Sequence, residues 1–161
     1  MRHHGEKSSR VHGGWGLFLM ALALILGMPA SVLWAASAGE VVTAGSATFQ
    51  RVGGNLLVTT GTPRTIISWQ SFGVPQGTVT RFAQPSSLAA TLNRVRGADP
   101  SAIYGLLTSN GRLYLINPNG ILVGPTGRVS AQSFIASTLD ISDAQFLSGG
   151  SLCFQGDSTA S

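Results

Sequence analysis

The sequence predicts an all-β domain that is exported from the cell, and three observations carry this prediction. The residues after position 38 are rich in glycine and in the β-favouring Val, Ile and Thr. Short apolar runs recur there between turn signals, at close and fairly even spacing. The first 38 residues have instead the composition of an export signal.

Residues 1–38 have the organisation of a signal peptide that the Sec machinery exports. Basic side chains precede the uncharged apolar run 17–28, and Pro29 ends this run. The alternative is an uncleaved anchor over 15–36, because a stretch of 22 residues can just span a bilayer. The short apolar centre and the proline favour cleavage.

The cleavage site is predicted between Ala38 and Gly39. Ala36, Ser37 and Ala38 match the small-x-small pattern that signal peptidase accepts. Removal of the leader leaves 123 residues, which is enough for one modest domain.

Charge and side-chain chemistry after position 38 exclude several function classes. Seven arginines and five acidic residues give this part a net charge of +2, and no basic block indicates a nucleic-acid partner. All three histidines lie in the leader and no lysine follows it, so the usual general base and the commonest metal ligand are missing. Cys153 has no disulfide partner, and we expect it to be a small, partly buried hydrophobe.

Nine apolar runs are predicted to be strands because Gly, Pro, Asn or Asp bounds most of them. They are 47–52, 56–60, 65–69, 78–82, 103–107, 113–116, 121–123, 128–130 and 134–141.

Two segments depart from the strand pattern. Leu88, Leu92 and Val95 follow helical spacing after Ser86, which predicts a short helix or helical turn. A second capped turn is predicted at 142–146.

The kind of all-β fold stays open at this level. A sandwich of hairpins and a coiled parallel β-helix both fit many short strands. The continuously apolar runs 113–116 and 121–123 suit strands that are covered on both faces or stacked in rungs.

The turn Asn117-Pro118-Asn119-Gly120 joins these two runs. Proline fixes φ, glycine supplies a positive φ, and asparagine side chains bond nearby backbone, so each residue favours a turn for its own reason. In a β-helix, Asn117 and Asn119 are expected to bond their counterparts in the next rung.

Two sets of residues offer alternatives to a secretion role. Asp140 and Asp143 are the best candidates for a carbohydrate-active enzyme that uses paired carboxylates, although such residues more often cap helices or close turns. An aromatic platform would support a free-standing glycan-binding module, although aromatics more often fill the core. Its candidates are Trp69, Phe72 and Phe82. No motif indicates a metal or a cofactor.

Seven stretches in collinear order carry a resemblance to a known family. They are 65–72, 79–85, 92–95, 103–107 before Asn110-Gly111, 113–123, 136–141 and 146–149. With them the chain resembles the N-terminal secretion domain of two-partner secretion exoproteins, the filamentous haemagglutinin, haemolysin and large-adhesin group. The resemblance covers about residues 41 to 150.

The resemblance implies a fold and a set of site residues. The fold is a right-handed parallel β-helix with an N-terminal cap and small extra β elements. Residues 39–150 form the secretion domain, and 151–161 are expected to begin a truncated β-helical stalk. Asn117, Pro118, Asn119 and Gly120 form the secretion motif. The secondary motif is Leu92, Asn93, Arg94 and Val95.

The resemblance also implies a route and partners, with no catalysis and no cofactor. A TpsB-type outer-membrane β-barrel transporter with POTRA domains reads such a domain in the periplasm. The protein is then secreted or displayed on the surface of a Gram-negative-type bacterium. Binding to host or cell-surface glycans would belong to a region C-terminal to this chain.

Overall fold

The computed structural model describes residues 35–160 and contains twelve strands and one helix there. The strands are β1 Val41–Ala44, β2 Ala47–Val52, β3 Asn55–Thr60, β4 Arg64–Trp69, β5 Val79–Ala83, β6 Ala90–Val95, β7 Ser101–Ile103, β8 Leu106–Ser109, β9 Arg112–Ile116, β10 Ile121–Val123, β11 Arg128–Ser130 and β12 Ser133–Ser137, and the helix is α1 Asp143–Ser148.

These strands stack into two five-stranded sheets. Sheet I has the order β1-β4-β6-β9-β12, and sheet II has the order β11-β8-β5-β3-β2. From β3 onward the chain alternates between the two sheets. From β5 onward each strand of these sheets pairs in parallel with the strand one turn earlier. A short parallel pair, β7 with β10, forms a third side. This arrangement is a parallel β-helix of four rungs. It confirms the predicted fold class and excludes the alternative of a sandwich built from hairpins.

The N-terminal end of the β-helix is closed by antiparallel strands. β1 pairs antiparallel with β4, and β2 pairs antiparallel with β3. Both therefore stand outside the parallel ladder and cover its first rung, which is the cap that the resemblance implied. The strands predicted from the sequence do not include β1, which is short and half-exposed.

The main core fills the space between the sheets. Trp69, Phe72 and Phe82 lie there at 1%, 3% and 1% exposure, so they form no platform for sugar rings. Their rings contact one another, with centroids 5.4 Å and 6.5 Å apart. The favoured interpretation of these aromatics as core residues is confirmed.

A second apolar cluster lies on the outer face of sheet I. Ile66, Leu92, Tyr114 and Ile135 are in register on four neighbouring strands and form a stripe across the sheet. Residues 139–155, here called the C-terminal strap, cover this stripe with side chains that include Phe146 of α1. Sheet I is therefore apolar on both faces.

The helix predicted over 86–95 is wrong. Residues 90–95 form β6, and all six are buried because the core covers one face and the C-terminal strap covers the other. Leu92 and Val95 point to opposite faces, while Leu88 is 70% exposed. Parallel pairing on both sides of β6 outweighs the local helical spacing.

Several other predictions can be compared directly with the strands. Runs 47–52, 121–123 and 128–130 have the predicted bounds. Run 103–107 is divided at Gly105, where an added Cβ would clash with the Pro75 carbonyl oxygen. Run 134–141 ends as a strand at Ser137.

The capped turn near residue 142 is confirmed, since the Ser142 hydroxyl accepts from the Gln145 backbone N–H at the start of α1. Cys153 is exposed, so the expectation that it is partly buried is wrong.

We predict that Phe146 anchors the C-terminal strap. Its ring is fully buried and lies 5.4 Å from that of Tyr114, centroid to centroid. Phe146→Ala should lower the free energy of unfolding by about 3 kcal/mol in urea titration. The neighbouring Leu147 is 43% exposed. Leu147→Ala should therefore change the free energy of unfolding by less than about 0.5 kcal/mol. Equal effects of the two substitutions would contradict the anchoring role.

Candidate functional site

The segment Asn117–Gly120 forms a corner of the β-helix between β9 and β10. The Gly120 N–H donates to the Asn117 carbonyl oxygen at 3.0 Å and closes the turn. Gly120 has a φ of 110°, which favours glycine. The predicted turn is therefore present, and it follows a strand that is almost fully buried.

The Asn117 side chain is buried at 0% exposure, and its amide is fully engaged. The amide nitrogen donates to the Asp99 carbonyl oxygen at 3.0 Å and to the Ser101 hydroxyl at 2.9 Å. The amide oxygen accepts from the Asn119 backbone N–H at 3.0 Å. Asn117 thus joins its own turn to the loop that precedes β7.

Asn119 reinforces the same connection. Its amide nitrogen donates to the Gly97 carbonyl oxygen at 2.8 Å. Both asparagines therefore bond backbone of the preceding rung, and Asn117 also bonds the Ser101 hydroxyl there. Within residues 35–160, neither amide makes the expected bond to a counterpart in the next rung. The corner instead fixes the position of the loop 97–101, which follows directly after β6.

The outer side of the corner contacts the end of the chain. The Thr159 N–H donates to the Pro118 carbonyl oxygen at 2.9 Å. The Thr159 hydroxyl also lies 2.9 Å from the Asn119 side-chain oxygen. Residues near 159 therefore cover part of the turn surface.

The secondary motif, Leu92 to Val95, forms the last four residues of β6. Asn93 points inward, where it accepts from the Trp69 indole N–H at 3.0 Å and donates to the Tyr114 carbonyl oxygen at 3.2 Å. Leu92 contributes to the outer cluster and Val95 to the main core. The motif and the corner are neighbours, because Gly97 comes two residues after Val95.

Arg94 attaches the C-terminal strap to sheet I. Its side chain is 5% exposed and forms ion pairs with Asp140 at 2.9 Å and Asp143 at 2.8 Å. A third guanidinium nitrogen donates to the Ile141 carbonyl oxygen at 2.7 Å. Burial acts to lower the pKa of Arg94, but the hydrogen bonds to the two carboxylates outweigh it and raise that pKa above its ordinary value.

Asp140 and Asp143 therefore lie together, as the enzymatic alternative requires, but with a guanidinium between them. A glycosidase pair faces a substrate, and one carboxyl holds a proton for the leaving group. Here both carboxylates are counterions of Arg94. Sequence reasoning named all three residues without connecting them, because nothing in the local sequence reports a contact between residues 46 positions apart.

Residues 36–38, which the sequence assigns to the leader, lie against the folded domain. The Ala38 N–H donates to the Ser71 carbonyl oxygen at 2.9 Å, and the Ser71 N–H donates back to Ala38 at 3.2 Å. The Ser37 hydroxyl is buried and donates to the Gly73 carbonyl oxygen at 3.0 Å. The predicted cleavage point is therefore held beside the loop after β4 once the chain has folded.

Arg51 adds a charged contact to this segment. Its guanidinium donates to the Ser37 carbonyl oxygen at 3.2 Å and to both carboxylate oxygens of Glu40 at 2.7 Å. The hydrogen bond from Arg51 lowers the pKa of the Glu40 carboxyl below its ordinary value. Gly39 has a φ of 65° and approaches Gln70 closely, so this position favours glycine.

Metal and membrane features can be stated for residues 35–160. No group of three or more His, Cys, Asp or Glu side chains in that range could hold a metal ion. No helix in the same range is long and apolar enough to cross a membrane. The apolar run 17–28 and the alternative anchor lie almost wholly outside the described residues.

Comparison with known proteins identifies the family. The family model for the TPS secretion domain matches residues 35–160. The chain belongs to this family. It is thus a secretion domain of the kind found in two-partner secretion exoproteins, as the seven collinear stretches implied. In general such TPS domains have a TpsB transporter as partner, and their exoproteins leave Gram-negative bacteria through the periplasm.

Two similar relatives come from Haemophilus influenzae, and both are named heme/hemopexin-binding protein. One, from strain Rd, is 35% identical over 103 residues, which is 64% of this chain and 11% of the relative. The other is 37% identical over 81 residues, which is 50% of this chain and 9% of the relative. The TPS domain described here therefore spans about a tenth of the length of these relatives.

A solved structure agrees with the fold. The HMW1 secretion domain from Haemophilus influenzae superposes with a TM-score of 0.71 at 33% sequence identity. The match covers 77% of this chain and 34% of that one. The assignment of the TPS domain thus rests on sequence and on structure.

We predict that Arg94 stabilises the TPS domain through the C-terminal strap. Arg94→Gln should lower the free energy of unfolding by about 2 kcal/mol, less than for a fully buried pair because both carboxylates are partly exposed. Amide hydrogen exchange should show faster exchange in α1. Arg96→Gln, at an exposed arginine two residues on, is the control, and unchanged exchange in α1 of the Arg94 variant would contradict the attachment.

We also predict that residues 35–38 stabilise the folded state. A chain that starts at Gly39 lacks the bonds to Ser71 and Gly73. In urea titration its free energy of unfolding should therefore be lower than that of a chain that starts at Ala35, by about 1–3 kcal/mol. Ser37→Ala in the longer chain isolates the buried hydroxyl and should account for about 1 kcal/mol. Superimposable unfolding curves for the two chains would show that the segment contributes nothing.

Proposed function

We propose that export of this TPS domain depends on the Asn117–Gly120 corner. The partner is a TpsB-type outer-membrane transporter that binds the chain in the periplasm through its POTRA domains. The observation that supports this is the fully engaged amide of Asn117, which ties the corner to the loop after the secondary motif. The two motifs named from the sequence thus act as one structural unit.

The route begins with the leader. The Sec machinery recognises residues 1–38 and moves the chain into the periplasm, and signal peptidase cleaves before Gly39. Residues 39–150 then form the secretion domain, and 151–161 begin a β-helical stalk. The mass of the exported chain reports the position of the cut.

The domain acts without catalysis and without a cofactor. The best enzymatic candidates, Asp140 and Asp143, are both paired with Arg94. The protein is secreted or held at the cell surface. Adhesion to host or cell-surface glycans belongs to sequence C-terminal to residue 161, a proposal that the much greater length of the relatives supports.

We predict that Asn117→Ala and Asn119→Ala reduce export when each variant is produced with its transporter. The expected loss in released protein is about tenfold for Asn117→Ala, which removes the partner of the buried Ser101 hydroxyl and of the Asp99 carbonyl oxygen. Asn119→Ala removes one bond to Gly97, so its loss should be smaller. The measurement is the ratio of released protein to cell-associated protein.

Asn110→Ala is the matched control. Asn110 also lies at a turn, and its amide bonds the backbone of Gln84 in the preceding rung at 2.7 and 2.8 Å. Because Asn110 is exposed and Asn117 is buried, the free energy of unfolding of each variant is measured beside its export, and a general loss of stability would reduce export in proportion to it. Normal release of Asn117→Ala would contradict the role of the corner, and an equal loss for Asn110→Ala would show that the effect is not specific to it.

A further inference from the structure

The two outer faces of the β-helix are covered differently. The outer face of sheet I lies under the C-terminal strap, and its apolar stripe is buried. On sheet II, Leu57, Val79 and Leu106 are only half-buried, although their chain neighbours Val58 and Leu107 lie in the core. No segment of residues 35–160 covers the outer face of sheet II as the strap covers sheet I.

Positive charge accompanies this apolar surface. Arg81 of β5 and Arg128 of β11 are both exposed. None of the five strands of sheet II contains an Asp or Glu. Within the described residues the ion pairs are those of Arg51 and Arg94, so neither Arg81 nor Arg128 has a carboxylate partner there.

The strand register places the two kinds of side chain together. Arg81 is opposite Leu57 on β3, and Arg128 is opposite Leu106, which is itself opposite Val79. Arg81 and Arg128 lie two strands apart, which is about 10 Å across the sheet. Arg81 lines a groove of about 560 Å³, together with Gln50, Val52, Leu57, Val79 and Ala83, among others, and Arg128 lies outside this groove, on β11. Val52 at its rim is 76% exposed.

We propose that the outer face of sheet II, here called the arginine face, binds an acidic polypeptide segment of a partner protein. Carboxylates of that segment pair with Arg81 and Arg128, since a guanidinium binds a carboxylate through two parallel hydrogen bonds. Apolar side chains of the segment lie in the groove against Leu57 and Val79. The partner is inferred to be acidic because this surface has two unpaired arginines and its strands contain no carboxylates.

A sulfated sugar offers the same negative charge but fits this face less well. Sugar rings are bound against exposed aromatic rings, and the two aromatics on the strands of sheet II, Phe49 and Phe82, pack into the main core. The half-buried aliphatic side chains of the groove suit peptide side chains instead. The arginine face exists only in the folded β-helix, so the proposal is independent of how the transporter reads the corner.

Binding of a synthetic peptide to the exported chain tests the proposal. The probe is a short fluorescein-labelled peptide with the repeat Glu-Glu-Leu, and fluorescence anisotropy reports its binding. We expect saturable binding that Arg81→Gln and Arg128→Gln each weaken roughly fivefold. A peptide with the repeat Lys-Lys-Leu should not bind. Circular dichroism should show an unchanged fold, because both arginines are exposed and unpaired.

Arg96→Gln is the charge-matched control, since Arg96 is exposed but lies outside sheet II. Its affinity for the acidic peptide should equal that of the unmodified chain. Leu57→Ser should weaken binding roughly threefold through the loss of apolar contact. The proposal is overturned if the acidic peptide does not bind, if Arg96→Gln weakens binding as much as Arg81→Gln, or if a heparin oligosaccharide binds at Arg81 and Arg128 while the peptide does not.

Discussion

Pairing in register between successive rungs is the constraint on which the rest of this structure depends. Each inner strand of sheet I hydrogen-bonds a strand on both sides, so a slip of one residue would turn every side chain to the other face. Ile66, Leu92, Tyr114 and Ile135 stay aligned across four strands only because the corners between rungs keep their lengths. At one of these corners, the hydrogen-bonded amides of Asn117 and Asn119 fix the path of the chain.

A parallel ladder also needs protection at its first rung and on its faces, because an open edge or apolar face invites pairing with other chains. Two antiparallel strands provide it at the N-terminal end. The C-terminal strap provides it on sheet I, where Arg94 makes the attachment specific by binding two carboxylates and a carbonyl. Sheet II has no such cover within residues 35–160, and its exposed arginines keep that face polar.

Local features of this fold were readable from the sequence, and features that depend on distant contacts were not. The corner at 117–120 was predicted because turn chemistry is written in adjacent residues. The helix proposed over 86–95 was wrong because β6 is fixed by its partners β4 and β9, which local spacing does not report. The connection of Arg94 to Asp140 was invisible for the same reason. The β-helix itself came from family resemblance, since short apolar strands fit a sandwich equally well.

The burial of Asn117 restricts how the corner can act in secretion. In the folded domain its amide has no free donor toward solvent, and the outer side of the turn already contacts Thr159. A transporter that met the folded corner would therefore touch the half-buried Pro118 and Asn119, and not Asn117. Direct recognition of the Asn117 side chain requires a chain in which this rung has not yet formed. Export can therefore require Asn117 for either of two physical reasons: the transporter contacts its side chain before the rung folds, or its amide closes the rung afterwards. Asn119 can act in both ways, because its amide nitrogen bonds Gly97 while its side-chain oxygen faces outward.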